Sequence, residues 1–151
     1  MHMKTKTKTE EFQVDSGRLV IGDPCYDTNK TVPALEGMWT AHVETCDEGD
    51  WGVRVKSVVV HHVDFNPADR RIKSRSFTFG VDSGQAGVFD SSFYGSDGFY
   101  DLCCKATLSK KGRGYVDGGF VSTSGFGDGC YEAEVQSVGD KAVCVEIVFI
   151  C

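Results

Sequence analysis

Hydrophobic positions in this chain recur mostly every second residue, in short stretches separated by Gly, Asp, Asn and Ser. That spacing predicts half-buried β-strands rather than helices. Residues 12–22 alternate loosely around Asp15-Ser16-Gly17, which predicts two short strands and a turn in which Gly takes positive φ. Residues 27–37 hold Asn29, Pro33 and Gly37 and read as a loop with one helical turn. From Met38 to Cys46, Trp39, Ala41 and Val43 share one face, and Thr40, His42 and Glu44 the other. The acidic run Asp47-Glu48-Gly49-Asp50 reads as a hairpin loop. A long strand follows, with Val53, Val55, Val59, Val63 and Phe65 in phase, closed by Asn66-Pro67. Phe77, Phe79 and Val81 mark a further strand ended by Asp82-Ser83-Gly84. Val88 and Phe89 open another before a polar loop at 90–98.

Residues 99–109 fit both periods. Phe99, Leu102, Cys103 and Ala106 suit a helix capped by Asp97, whereas Leu102, Cys104, Ala106 and Leu108 suit a strand. A helical turn followed by a strand is the expectation. Residues 115–122 read as one strand, and Tyr131, Ala133 and Val135 alternate with polar neighbours. Residues 142–151 are apolar at nearly every position, which predicts a central strand covered on both faces, ending inside the core. Seven to ten short strands with at most one or two short helices imply a mainly β domain, an antiparallel sandwich or a partly closed barrel. This domain is expected to span residues 11–151, after a flexible tail of residues 1–10 in which Lys4, Lys6 and Lys8 alternate with Thr.

Composition narrows the classes of function. At 151 residues with 40% hydrophobic, ten Phe and two Trp, the chain can build one ordinary core, so disorder is a poor alternative. A net charge of −6 with no basic face argues against a nucleic-acid partner. Arg70, Arg71, Lys73 and Arg75 beside Asp69 read as a surface loop. No segment approaches the roughly 18 apolar residues of a membrane span, and the N-terminus has no apolar run of the signal-peptide kind. Seven cysteines, odd in number and with Cys103 and Cys104 adjacent, suit free thiols in a reducing cytoplasm better than a disulfide scaffold.

Two kinds of internal similarity stand out. Residues 14–23 read VDSGRLVIGD and residues 81–90 read VDSGQAGVFD, while GDPCY at 22–26 is matched by GDGCY at 127–131. Turn chemistry alone accounts for Asp-Ser-Gly, but less easily for Cys-Tyr after Gly-Asp twice. The chain resembles a family of uncharacterised phage and bacterial proteins, on Asp23-Pro24-Cys25-Tyr26, Val81 to Gly87 and Ser124 to Gly129. The last motif is also similar to the signature of a broader domain-of-unknown-function family. The resemblance implies a kind of genome and a shared fold, and no established activity.

The residues with chemical potential form a short set. Asp23, Cys25, Tyr26, Asp82, Asp128 and Cys130 are the candidate ligand-binding residues, and the two Gly-Asp-x-Cys-Tyr segments are expected to meet at one end of the β-structure. Asp23 and Asp128 would then be a carboxylate pair with one raised pKa, or else each would serve its own turn. Thiol catalysis by Cys25 or Cys130 needs a base, and no His is near either in sequence. His61 and His62 are neighbours on a strand and face opposite ways, with His61 in phase with the valines and so the one expected in the core. Zinc spacings and calcium loops are absent, and no cofactor or metal is expected. Residues 125–129 resemble a phosphate loop only superficially, because no helix follows and Asp128 would repel phosphate. The first functional expectation is a small cytoplasmic binding protein, a phage or prophage accessory factor engaging a protein or small ligand. A hydrolase using the Gly-Asp-x-Cys-Tyr acids or thiols and a structural or assembly protein are the alternatives, and an edge-strand homodimer is a further option.

Overall fold

A computed structural model describes residues 10–26 and 29–150. The basic tail expected at residues 1–10 falls outside them except for Glu10, whose carbonyl accepts a hydrogen bond from Thr40 Oγ1 at 3.0 Å. Among the described residues, eleven strands form two antiparallel sheets, and the domain is a sandwich rather than a closed barrel. In chain order they are β1 Phe12–Val14, β2 Arg18–Gly22, β3 Lys30–Pro33, β4 Gly37–Asp47, β5 Val53–His62 and β6 Ile72–Val81. Then come β7 Gln85–Asp90, the helix α1 Phe99–Thr107, β8 Arg113–Val116, β9 Gly119–Thr123, β10 Gly129–Val138 and β11 Lys141–Val148. The six-stranded sheet runs β1-β4-β5-β11-β10-β6 and the five-stranded sheet β3-β2-β7-β9-β8. The inward positions of both sheets interdigitate in one core containing Trp39, Val60, Val145 and Ile147 from the first and Leu19, Ile21, Val88 and Phe120 from the second.

Several sequence expectations are corrected, each for a physical reason. Residues 30–33 form β3, because pairing with β2 supplies the hydrogen bonds that a helical turn would otherwise make. Residues 113–123 are two strands, since Asp117-Gly118 makes a two-residue hairpin that places Val116 opposite Gly119. The segment from 99 is helical throughout to Thr107. Phe99 and Cys103, one turn apart, bury against Phe89 and Val121 on the outer face of the five-stranded sheet, Thr107 a turn further on is buried with its hydroxyl on Gln85, and that packing outweighs the strand alternation. Gly98, with φ 77°, stands at the N-cap, so Asp97 does not cap the helix. Ile72 to Arg75 already belong to β6, which places Lys73 and Arg75 on an edge strand rather than in a loop. The Asp69–Arg71 ion pair, at 2.7 Å, holds the turn before them.

A bulge alters the phase of β5. Glu44 pairs with Ser57 and Thr45 with Val55, so Lys56 is the extra residue. Val55 faces the core before the bulge, and Val58, Val60 and His62 face it afterwards. His62, not His61, is therefore the buried histidine, 6% exposed, with its Nε2 at 3.0 Å from the Glu36 carbonyl. As expected, β11 is an interior strand of its sheet. Its inward face is dry, and its outward face is covered only in part, with Cys144 buried and Glu146 and Val148 half-exposed.

Candidate functional site

The Val-Asp-Ser-Gly repeat is a matched pair of corners where the chain passes from the six-stranded to the five-stranded sheet. β1 and β6 belong to the first sheet, β2 and β7 to the second, so neither Asp-Ser-Gly is a hairpin turn. Gly17 and Gly84 turn the corners at φ 72° and 71°, a region that a β-carbon disfavours. Each corner is held by the closing Asp of the other copy. Asp23 Oδ2 accepts the amides of Asp82 at 2.7 Å and Ser83 at 2.8 Å, and its Oδ1 accepts Ser83 Oγ at 2.6 Å. Reciprocally, Asp90 accepts the amides of Asp15 at 3.1 Å and Ser16 at 3.2 Å, and the Ser16 hydroxyl. Ile21 and Val88 occupy the same place in the two repeats and face each other across β2 and β7. The exchange is thus two-fold related about that pair.

Burial alone pushes the Asp90 carboxyl up. The hydroxyls of Ser16 and Ser92 and the amides of Asp15 and Ser16 outweigh it and hold the group below the usual carboxylate range. Asp23 is fully buried with four donors on its two oxygens, the fourth being the Cys25 amide at 2.8 Å. It is a structural clip, its acceptor positions taken up by the turn that it begins and by the distant corner.

The two Gly-Asp-x-Cys-Tyr segments sit at the same end of the sandwich but differ in conformation. Asp23 to Tyr26 forms a turn closed by the Tyr26 amide on the Asp23 carbonyl at 3.1 Å, with Pro24 in the second position. Tyr94 fixes it: its Oη is 3.0 Å from the Asp23 carbonyl, bonds the Tyr26 carbonyl and accepts Asn29 Nδ2 at 2.8 Å. In the second segment Asp128 is exposed in the loop before β10, and Cys130 and Tyr131 lie on that strand. Ser124 and Tyr131 both donate to the Gly127 carbonyl, at 2.7 and 2.6 Å, and so shape this loop. The segments approach through β6. Gly129 pairs with Val81 and Cys130 with Gly80, and a β-carbon on Gly80 would stand 3.8 Å from Tyr26 Oη. All six candidate residues therefore border one end of the fold, with Asp23 inside it and Cys25, Asp128 and Cys130 exposed on it.

This end is electrically negative. The Tyr26 hydroxyl is pushed up by burial and then by Asp82, Asp23 and Asp128. The described histidines, 42, 61 and 62, lie on β4 and β5. The His61 row crosses β10 at Gln136, six residues or roughly 20 Å along the strand from Cys130. Beside Cys25 and Tyr26 an open groove of ≈ 550 Å³ is walled by Tyr94, Phe99, Tyr100, Asp97 and Asp101. Tyr94 is pushed up to about 12 by burial, and Tyr100 up to about 12 chiefly by its bond with Cys104, so both stay protonated at neutral pH.

The sequence reading missed a second surface at this end. Trp51 and Val53, 70% and 69% exposed, project from the β4–β5 hairpin, and Phe126 is 53% exposed in the loop two residues before Asp128. The Trp51 and Phe126 rings meet edge to face at 6.4 Å, and Arg54 lies over Phe126 at 5.5 Å while bonding the Gly125 carbonyl. The signal available was an aromatic inside an otherwise polar hairpin loop and another inside a Gly-rich one. No family model, curated protein or solved structure matches the chain.

The six cysteines whose surroundings are described are all free thiols, and they differ sharply in access. Burial raises the thiols of Cys103 and Cys144 to about 12, whereas Cys25 and Cys130 are exposed. A thiol reagent at neutral pH is expected to label Cys25 and Cys130 first and Cys103 and Cys144 only on unfolding, with seven thiols counted after denaturation. Peptide mapping of a labelling time course tests the order, and a total of five or fewer overturns the free-thiol reading.

Proposed function

We propose that the protein is a binding module, a phage or prophage accessory factor acting in the host cytoplasm, whose partner is a protein docking on the end of the sandwich that carries the candidate residues. The observation that carries this is the exposed Trp51–Phe126 pair with Val53. Large aromatics that meet edge to face in solvent, with an Arg laid over one, have the composition of an interface anchor. Asp47, Glu48, Asp50 and Asp128 rim the patch in sequence, so the complementary partner presents an apolar side chain flanked by basic residues. The groove beside Tyr26 and Tyr100 supports a second reading, a small cationic ligand held by aromatic faces and by Asp97 and Asp101.

The two readings separate in one experiment. The folded protein, with Trp51→Ala/Phe126→Ala and Tyr26→Ala/Tyr100→Ala variants, is used to capture partners from host lysate and is examined by native mass spectrometry. Loss of a captured protein by tenfold or more in the first variant alone supports the protein partner. Loss of a co-purifying small mass in the second alone supports the ligand. Capture unchanged in both removes this end of the fold as the site.

A further inference from the structure

The geometry points to a divalent transition-metal site formed by His42 and His61 on the outer face of the six-stranded sheet. His42 Nε2 and His61 Nε2 lie 3.0 Å apart, with rings nearly parallel at 15° and centroids 5.1 Å apart. Two imidazole nitrogens bound at about 2.0–2.1 Å to one tetrahedral ion stand roughly 3.3 Å apart, so seating the ion takes a few tenths of an ångström of separation and a swing of each ring by roughly 30°, until both lone pairs meet off the line between them.

A second, independent observation concerns the far side of His61. Its Nδ1 lies 2.8 Å from the His62 carbonyl. That bond places the ring proton on Nδ1 and leaves the Nε2 lone pair facing His42. A ligating histidine is held in the same way, its other nitrogen donating to a backbone carbonyl that sets tautomer and orientation. Phe65, with its ring 5.6 Å from His61, packs the imidazole on one side. The strand bulge at Lys56 creates the arrangement, because it turns His61 outward to the face where His42 already stands.

Glu146 and Glu134 continue this face. Val59 is the register partner of both His42 and Glu146, and Glu146 is paired with Glu134, so a cation meets a favourable field. Among the described residues no group of three or more His, Cys, Asp or Glu gathers around one point. The ion therefore keeps open positions for water or an added ligand, which makes the site exchangeable rather than structural, and its donors suit Zn²⁺, Ni²⁺ or Cu²⁺ over Mg²⁺ or Ca²⁺.

Calorimetric titration of the full chain with Zn²⁺ tests this, alongside His42→Gln and His61→Gln. The expected result is one Zn²⁺ bound by the wild type and at least tenfold weaker binding in either variant. Cu²⁺ added to the wild type should give an electron paramagnetic resonance spectrum with two imidazole nitrogens, a readout that needs no variant to fold. Equal affinity in wild type and both variants, a spectrum with fewer than two nitrogens, or no Zn²⁺ bound at millimolar concentration overturns the site and leaves a hydrogen-bonded histidine pair.

Discussion

A chain ending at Asp140 is expected not to fold. The missing segment contains β11, which lies between β5 and β10 and pairs with both. Without it each of those strands presents a bare edge of amides and carbonyls to the other. Val145 and Ile147 are fully buried and Phe149 is 8% exposed, so the core loses three large side chains at once. At roughly 1.5–3 kcal/mol each this is of the order of the entire stability of a small domain, about 5–15 kcal/mol, before any backbone bond is counted. Amide spectra with collapsed dispersion and a noncooperative urea transition are the expected results. A truncated chain that unfolds cooperatively would show that the two sheets hold without their shared interior strand.

The second large effect is expected at Asp23. Asp23→Ala leaves the amides of Cys25, Asp82 and Ser83 and the Ser83 hydroxyl without their acceptor at a fully buried position. Stranded buried donors cost roughly 1–3 kcal/mol each, and some will find water, so a loss of about 3–5 kcal/mol is expected from urea unfolding midpoints. Asp23→Asn should recover little, because its NH₂ group would face donors. Asp90→Asn is expected to cost less, since two of its bonds, at 3.1 and 3.2 Å, are longer.

That variant also carries a pH signature. The folded-state pKa of Asp90 is depressed, so its contribution is complete above the unfolded value of about 3.9 and is lost as pH falls through the folded value. Asp90→Asn should therefore differ from wild type most above pH 4 and progressively less below it. A gap between the two that does not narrow toward pH 2 would show that the Asp90 charge contributes nothing to stability.

The strand pattern of the sequence carried most of the fold. Trp39, Ala41 and Val43, then Phe77, Phe79 and Val81, point to the core side as their alternation predicted. What the pattern could not convey was long-range. Nothing near Lys56 announces a bulge, so alternation alone puts every later residue of β5 on the wrong face and exchanges the roles of His61 and His62. Phe99 to Thr107 satisfied two periods, and only the outward-facing Phe89 and Val121 decide between them. The candidate site was legible as a set of motifs but not as roles. The repeated Val-Asp-Ser-Gly was visible, whereas the exchange of its closing Asp residues between copies depends on β2 and β7 lying side by side. The similarity of the two Gly-Asp-x-Cys-Tyr segments, by contrast, conceals two different backbones.

The reciprocal clips also bear on how fast the chain can reach its native state. The clip bonds that cross between the two repeats join residues 59 to 75 positions apart, and no local segment can form any of them alone. Each corner reaches its final shape only after the distant copy has arrived and β2 has docked on β7. Closing such long loops carries its entropy cost before any bond rewards it, which places the clips late in folding and the protein among slow, millisecond-to-second folders. Interactions made after the rate-limiting step act on the escape from the native state rather than on its formation. The two aspartates thus serve as latches, setting how long the folded molecule survives more than how quickly it is made.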